Sequence, residues 1–388
     1  MRRPTAHLAL LAAALAAVLL APAAASAHRP WRGPVAHAAG LIPNDPGRGG
    51  AAAGWQRVQW NFDGPWGIDA PDAWANLVTA GRPGGAGVVV AVLDTGVAYA
   101  NHGRYRRSPD LSARSFVRGY DFVDHDARPD DPEGHGTHVA STIAEATDNG
   151  YGLTGLAYGA RIMPVRVLDS RGEGDATTIA AGVRYAAQRG AQVINLSLEF
   201  SSDVTAREIP SLINAIAYAH RRGAIVLAAS GNEAYAAVAY PARANFVVSV
   251  GATTEHGCLA DYSNQGRGLD LVAPGGGADA ALPGDPNCSP DATPGRDVSQ
   301  ITYSDASRRR FGIDMEEGTS MAVPHVAAAA ALVIASGVLG ARPAPGAVQH
   351  RLEATARDLG PHGYDQRYGW GLIDAAKATT PGGPTFPG

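Results

Sequence analysis

Short apolar runs alternate with stretches of helical periodicity along most of this chain. Strand-like runs of apolar residues occupy 88–93, 162–168, 193–198, 225–229, 247–250 and 269–273. Between them, apolar residues recur at helical spacing from Thr137 onward, over 177–188 and over 209–222. Because strands that alternate with helices usually pair in parallel, the pattern predicts an α/β fold with a mostly parallel central sheet and helices on both faces.

Two polar residues come shortly after strand-like runs of this pattern. Asp94 directly follows the first run, and Asn232 lies just beyond the fourth. Open α/β sheets bind their ligands outside the carboxyl ends of the strands. We therefore expect a functional site at that edge of the sheet, with Asp94 and Asn232 in it.

The amino terminus has the three parts of an export signal. Arg2 and Arg3 precede an apolar stretch over 8–20, and the small residues Ala25, Ser26 and Ala27 follow it. A membrane anchor is the alternative, but the apolar stretch is shorter than the ~20 residues that a spanning helix needs. We expect a signal peptide over 1–27 and a secreted, extracellular protein with no membrane attachment once the signal is removed.

Composition divides the remainder of the chain. Residues 28–55 are rich in proline, glycine and alanine, which predicts an extended arm or short proregion. Regular patterns fill 56–380, which we take as one domain, and 381–388 is expected to be a flexible tail.

Overall composition is that of a compact soluble enzyme. Hydrophobic residues make up 45% of the chain and charged residues 18%, which argues against a disordered or fibrous protein. The formal net charge of -4 is small for 388 residues, and basic residues are scattered except at 308–310. Nucleic acid is therefore not an expected partner, and we expect a monomer.

Three glycine-flanked segments carry the residue types of nucleophilic catalysis: VVVAVLDTGV around Asp94, GHGTHVAS around His135 and GTSMAVPHVA around Ser320. A serine hydroxyl is a poor nucleophile at neutral pH, so it needs a base to take its proton and a carboxylate to orient that base. The pattern predicts a serine peptidase in which Ser320 attacks, His135 transfers the proton and Asp94 orients His135.

Two other chemistries fit parts of this pattern. The segment around Ser320 is similar to a lipase elbow without its last glycine, but that fold needs its acid and histidine downstream, and Asp94 and His135 lie upstream. His135 and His138 form an HxxH pair, yet the HExxH motif is absent and no third ligand is evident. Zinc is therefore not expected.

With these flanking residues, the chain resembles the subtilisin-like (S8) family of extracellular bacterial serine endopeptidases, whose order Asp, His, Ser is the one known for subtilisin. The resemblance covers roughly 56–378 and includes the closing segment YGWGLIDAAKA. It implies a three-layer αβα fold, polypeptide substrates and an acyl-enzyme intermediate. Within that class, general protein degradation competes with limited processing of one precursor. A catalytically silent binding protein on the same fold is a further alternative.

A tetrahedral intermediate needs donors for its oxyanion. Pro324 predicts a helix whose first turn includes Ser320, which would leave the Ser320 N–H free to donate. Asn232 in AASGNE resembles the family's second donor, although a turn asparagine beside Gly231 is the alternative reading of that residue alone. His325 matches a family histidine that packs beneath the site.

The resemblance also implies a peptide-binding cleft, in which an extended substrate pairs with strand segments. The expected cleft residues are Gly172, Glu173, Gly174, Ser197, Leu198, Glu199, Ala229, Ser230 and Gly231. Glu199 departs from the family pattern, where a glycine stands. Together with Glu173, Glu233 and Glu317 it would make the cleft attractive to cationic side chains; solvated rim carboxylates without a role are the alternative.

Calcium is the metal that the acidic loops favour, because hard cations prefer oxygen ligands. The loop DFVDHDARPDD resembles a calcium loop of thermitase-like members, with Asp121, Asp124, Asp126 and Asp130 as ligands and Arg128 offering its carbonyl. A second family site is partly preserved at Asp110 and Asn149. Acidic loops without metal are the alternative at both places. No organic cofactor is expected.

The chain contains two cysteines, Cys258 and Cys288. In an exported protein an even number of cysteines predicts a disulfide, here closing a loop of roughly 30 residues. Two free buried thiols are the alternative, since sequence does not show whether the Cα atoms approach within bridging distance.

Overall fold

A computed structural model describes residues 41–305 and 307–382 of the chain. The predicted signal peptide, the first part of the arm and most of the predicted tail lie outside the described residues.

Seven parallel strands form the central sheet in the order β2-β3-β1-β4-β5-β6-β7. Their bounds are β1 Val89–Asp94, β2 Tyr120–Asp121, β3 Arg161–Arg166, β4 Val193–Leu196, β5 Ile225–Ala229, β6 Val247–Thr253 and β7 Leu271–Pro274. Nearly all their residues are buried, as expected for strands covered on both faces. The predicted parallel sheet is confirmed.

Helices cover both faces of this sheet and complete three layers. They are α1 Trp60–Asp63, α2 Ala70–Thr79, α3 His135–Ala144, α4 Ala176–Gln188, α5 Pro210–Arg221, α6 Thr319–Ser336, α7 Pro345–Thr355 and α8 Ala375–Thr379. Val90 and Val92 of β1 pack with α2, α3 and α6, whereas Ala91 and Leu93 pack with α4 and α5. Alternate residues of one strand therefore serve two separate apolar cores.

An antiparallel hairpin lies outside the main sheet and just before α6. It comprises β8 Val298–Tyr303 and β9 Phe311–Glu316. The hairpin is fixed to α3 by Ser141 Oγ, which donates to the Ile301 carbonyl at 3.0 Å. Thr302 Oγ1 donates to the carbonyl of Gly134 at 2.8 Å, directly before α3. These bonds hold the start of α3 beside the end of β8.

The segment 41–55 packs on the domain and is part of its fold. Asp45 is fully buried and accepts hydrogen bonds from the backbone N–H groups of Asp148 at 2.9 Å and Asn149 at 3.0 Å. Trp55 Nε1 donates to the Pro43 carbonyl at 3.1 Å. A buried carboxylate and a buried indole therefore tie residues that precede the expected domain start at 56 to the rest of the structure.

Cys258 and Cys288 form a disulfide bond, with their Cα atoms 4.9 Å apart. Within the described part of the chain, helix α6 is long and apolar enough to cross a membrane, but 83% of its apolar window is buried inside the domain. It is a core helix of the domain, and Ser320 lies in its first turn as predicted.

Candidate active site

Asp94 and His135 meet at the carboxyl end of the sheet. Asp94 is the last residue of β1 and is fully buried, and His135 is the first residue of α3. His135 Nδ1 lies 2.7 Å from Asp94 Oδ1. Gly136 permits this approach, because a Cβ there would lie 2.1 Å from the Gly96 carbonyl oxygen and 3.0 Å from the Asp94 Cβ.

The charge around His135 favours its protonated form. Burial lowers the pKa of the imidazole, but the adjacent Asp94 carboxylate outweighs that effect and raises the pKa of His135 to about 10. Glu316 and Glu133 act in the same direction. Glu133 also accepts a hydrogen bond from the His135 backbone N–H at 2.7 Å. The histidine is thus both oriented and electrostatically biased by carboxylates.

Ser320 is the second residue of α6 and lines the same cleft as His135. Its Oγ donates to the Ser197 carbonyl at 3.2 Å, and His135 Nε2 has no hydrogen-bond partner within the described residues. The N–H groups of the first helical turn have no acceptor within the helix. The Ser320 N–H is one of these donors.

Pro324 is the sixth residue of α6 and lies in its second turn. The sequence had predicted a proline in the first turn. In a helix the N–H of residue 324 would bond to the carbonyl of Ser320, and proline lacks that N–H. The carbonyl is satisfied from outside the helix, by Ser197 Oγ at 2.8 Å. Ser197 therefore both donates to and accepts from Ser320.

Asn232 follows β5 and faces the same cleft. Its Oδ1 accepts from the Thr319 N–H at 2.8 Å and from Thr319 Oγ1 at 3.0 Å, so the Nδ2 side of the amide is the donor side. Nδ2 lies 3.1 Å from both carboxylate oxygens of Glu199. The side chain proposed to hold the oxyanion is thus bonded to the residue that departs from the family pattern.

Five carboxylates line one cleft of about 700 Å³ beside His135 and Ser320: Glu133, Glu199, Glu233, Glu316 and Glu317. Burial raises the pKa of Glu199 to about 7 and that of Glu316 to about 8. Arg171 is the basic residue on this lining, and it pairs with Glu173 at 2.9 Å. Part of this acidic lining is therefore protonated at neutral pH, and its negative charge grows as the pH rises through 7 and 8.

Some of the predicted cleft residues lie on this lining and others behind it. Gly172 and Glu199 line the cleft. Leu198, Ala229 and Ser230 are fully buried. The cleft is also not lined by Glu173, Gly174, Ser197 or Gly231. Glu133 and Glu316 were missed, although each stands within four residues of a catalytic motif residue, and that proximity was the available signal.

The first predicted calcium loop is balanced by a basic side chain. Arg166 Nη1 lies 2.8 Å from Asp121 Oδ2 and 2.6 Å from Asp124 Oδ2. Asp130 pairs with His102 at 2.9 Å, and Asp126 accepts from the N–H of Arg128 at 2.7 Å. Across 41–305 and 307–382, no group of three or more histidine, cysteine or acidic residues is arranged to hold a metal ion.

At the second predicted calcium site, no ion pair with a basic side chain is found among the residues that the structure describes. Asn149 Nδ2 donates to Asp110 Oδ1 at 2.8 Å, and the Leu153 N–H donates to Asp110 Oδ2 at 2.9 Å. Asp45 and Glu145 lie close enough for their charges to act on Asp110 and on each other. Glu145 Oε2 is buried without a hydrogen-bond partner. Asp45, from the segment before the predicted domain, was not anticipated here.

The other two histidines of the motifs are structural. His138 Nε2 lies 3.1 Å from the Val298 carbonyl, and His325 Nδ1 lies 2.8 Å from the Met321 carbonyl. Both are fully buried, and burial lowers the pKa of His138 to about 3 and that of His325 to about 4. Neither carries charge at neutral pH.

Comparison with known proteins agrees with this geometry. The Subtilase family matches residues 85–371 of the chain. The chain belongs to the subtilase family of serine endopeptidases. Subtilisin Savinase of Lederbergia lenta is 38% identical over 320 residues, which are 81% of this chain and 98% of that protein. Thermitase of Thermoactinomyces vulgaris is 36% identical over 274 residues, covering 71% of this chain and 82% of that protein.

Two further similarities concern length and fold. The Thermophilic serine proteinase of Bacillus sp. (strain AK1) is 38% identical over 254 residues, and the match spans 54% of that protein. A solved protease structure from Pseudoalteromonas arctica PAMC 21717 has a TM-score of 0.69 and 31% identity, covering 87% of this chain and 98% of that one. The subtilisin-like three-layer αβα fold is therefore confirmed for this subtilase.

Proposed function

We propose that this subtilase hydrolyses peptide bonds with Ser320 as nucleophile, His135 as general base and acid, and Asp94 as the orienting carboxylate. The contact of 2.7 Å between His135 Nδ1 and Asp94 Oδ1 is the observation that carries the proposal. It fixes the tautomer in which Nε2 is free to accept the Ser320 proton. Rotation of Ser320 Oγ away from the Ser197 carbonyl then completes the triad.

The oxyanion is held in this proposal by the Asn232 amide and the Ser320 N–H. Support comes from the fixed orientation of the amide, whose Oδ1 is bonded to Thr319, and from the start of α6 at Thr319. Donors held in place before the reaction stabilise developing charge without reorganisation.

Polypeptides are the substrates, and secretion with extracellular protein degradation is the proposed setting. The charged, apolar and small-residue parts of 1–27 support export, and the disulfide between Cys258 and Cys288 suits an oxidising compartment. Limited processing of one precursor is the second candidate, and the acidic cleft favours it because a charged lining restricts the sequences that bind.

We also propose Ca²⁺ as a structural ion. Asp45, Asp110 and Asn149 would hold it, with carbonyls of the loop around Tyr151. The carboxylates of Asp45 and Asp110 are buried, and no ion pair with a basic side chain is found for either among the described residues, which suits a hard cation. The loop at Asp121 fits less well, because Arg166 already supplies its positive charge.

A fluorophosphonate probe tests the nucleophile. The wild-type protein should be labelled covalently at Ser320 and should cleave an unfolded protein substrate, whereas Ser320→Ala should do neither and should keep its melting temperature. Ser336→Ala is the matched control, since Ser336 lies at the other end of α6. Labelling that persists in Ser320→Ala would contradict the assignment, and an unlabelled, inactive wild type would favour the silent binding protein.

A further inference from the structure

Glu199 and Asn232 are joined by three hydrogen-bond contacts at the proposed oxyanion site. The Glu199 carboxylate accepts from the Asn232 backbone N–H at 3.1 Å and from Asn232 Nδ2 at 3.1 Å to each of its two oxygens. These bonds use the donor atom that would have to face a tetrahedral oxyanion. The carboxylate therefore occupies the place of the developing negative charge.

The amide cannot free itself by turning over. Its Oδ1 accepts two hydrogen bonds from Thr319, one residue before the nucleophile. A flip would point Nδ2 at the Thr319 N–H and Oδ1 at the Glu199 carboxylate, which would place donors against donors and acceptors against acceptors. Only movement of the Glu199 side chain exposes the donor.

Besides Asn232, the positive charge of protonated His135 favours the ionised form of Glu199. Across the described residues no basic side chain forms an ion pair with it, and Glu233 on the same wall adds a like charge. Glu233 is itself bonded to Ser202. The Glu199 carboxylate is therefore retained mainly by Asn232, and an oxyanion bound to the same amide would repel it.

We propose that Glu199 is an internal competitor for the oxyanion site, whose carboxylate must leave Asn232 before the tetrahedral intermediate can form. Glu199 is thus a rate-determining positioning residue that acts through Asn232. The inference rests on the proposed function, in which Asn232 supplies an oxyanion donor. A glycine at this position would leave the donor open in the free enzyme.

Glu199→Gly and Glu199→Gln test the competitor, each alone and combined with Asn232→Ala. Hydrogen bonds to a charged group contribute enough that removing the carboxylate should raise kcat by at least ~tenfold. Glu199→Gln should raise kcat less, because a neutral amide oxygen is a weaker acceptor. KM should change little, since the ground-state carbonyl does not fill the site.

The double variants separate competition from a general structural effect. In the Asn232→Ala background the gain from Glu199→Gly should shrink to less than about threefold, because the two residues act through one contact. A peptide boronic acid, which forms a tetrahedral adduct, should bind Glu199→Gly more tightly than wild type by the same factor as the gain in kcat. Glu208→Gln, an exposed acid outside the cleft, should match wild type in both measurements.

Each outcome is decisive. A fall in kcat for both Glu199→Gly and Glu199→Gln, with melting temperatures unchanged, means that Glu199 orients Asn232 for catalysis and overturns the competition. An equal gain with and without Asn232 also overturns it. If Glu199→Gly does not fold, the kcat of Glu199→Gln and its affinity for the boronic acid test the competition instead. Absence of labelling and hydrolysis in every variant would remove the proposed function itself, whereas active enzyme with unchanged kcat removes only this inference.

Discussion

At the residue scale, His135 is governed by the carboxylates that surround it. Asp94 bonds to its ring, Glu133 bonds to its backbone N–H, and Glu316 lies near enough to favour its cationic form. A general base has to be neutral before it can accept a proton. The carboxylates that stabilise the His135 imidazolium during the reaction therefore also keep His135 protonated in the free enzyme at neutral pH.

The pH dependence of activity should follow from this. With the pKa of His135 raised to about 10, kcat/KM should rise with pH up to about 10, because the neutral fraction grows over that range. Burial raises the pKa of Glu316 to about 8, so Glu316 is negative in the upper part of the range. Glu316→Gln removes that charge, lowers the pKa of His135 and should move the acid limb to lower pH.

The measurement is kcat/KM for one neutral peptide between pH 6 and 11 at constant ionic strength, with Glu208→Gln as the control acid outside the cleft. An acid limb at the ordinary histidine value of 6.5 that Glu316→Gln does not move would contradict the electrostatic account.

The residues predicted from sequence divide by the kind of signal that they carry. Asp94, His135 and Ser320 stand in long motifs, in which Gly96 and Gly136 are required by close backbone approach, so their placement at one edge of the sheet was foreseeable. The bond between Glu199 and Asn232 was not, since the side-chain direction of Glu199 depends on tertiary neighbours. The pairing of Asp121 with Arg166 escaped prediction for the same reason.

At the element scale, apolar runs located the strands but not always their ends. The run 193–198 ends as a strand at Leu196, where the chain leaves the sheet to form the cleft wall. The strands β8 and β9 were not located, because β9 is only partly buried and carries acidic residues, which hides the alternation of a strand. Helix α6 was expected, but not a proline in its second turn. Pro324 is tolerated there because Ser197 Oγ donates to the Ser320 carbonyl, which has no helical donor.

The buried Asp45 carboxylate should stabilise the packing of the segment 41–55 on the domain. Asp45→Ala leaves the backbone N–H groups of Asp148 and Asn149 without their acceptors, which should lower the free energy of unfolding by about 1–3 kcal/mol. Urea unfolding of wild type and variant in the presence of chelator measures this without a contribution from bound metal. Asp203→Ala, at an exposed position, is the control. Equal stability of all three proteins would show that the bonds accepted by Asp45 contribute nothing to the stability of the fold.

At the scale of the whole molecule, the order of strands and helices in the sequence predicted the fold, and the order of the three motifs predicted where the site lies. Parallel strands bring their carboxyl ends to one edge, and Asp94, Asn232 and the cleft wall after β4 meet there. The segment 41–55 also joins the loop at Asn149 from far away in sequence. A composition rich in proline and glycine concealed that contact, because such composition carries no periodic pattern.

Calcium should act on the whole domain. A metal that binds only the folded state stabilises it by mass action, so chelator should lower the melting temperature and hasten autolysis. Asp110→Asn should reduce that chelator effect, and Asp121→Asn should not if Arg166 already balances its loop. Thermal melts of the Ser320→Ala background avoid autolysis. Identical melting temperatures with and without chelator would exclude a stabilising calcium site.

Selectivity for charge is the last consequence of the acidic cleft. Five carboxylates line it, while the Arg171 side chain is engaged by Glu173, so a cationic substrate side chain would gain a charged partner and an anionic one would be repelled. Glu at the position before the scissile bond should therefore give the lowest kcat/KM among matched peptides with Lys, Leu and Glu there.

Comparison of wild type with Glu199→Gly isolates the contribution of Glu199 to that preference. Because the oxyanion effect applies to every peptide alike, it cancels in the ratio of kcat/KM for Lys over Leu, and only a direct interaction with the lysine changes that ratio. The ratio should fall in Glu199→Gly, and raising the salt concentration should reduce it in wild type, since salt screens exposed charges. A ratio that favours Leu equally in both proteins would mean that Glu199 serves Asn232 alone and that the acidic wall does not select substrates.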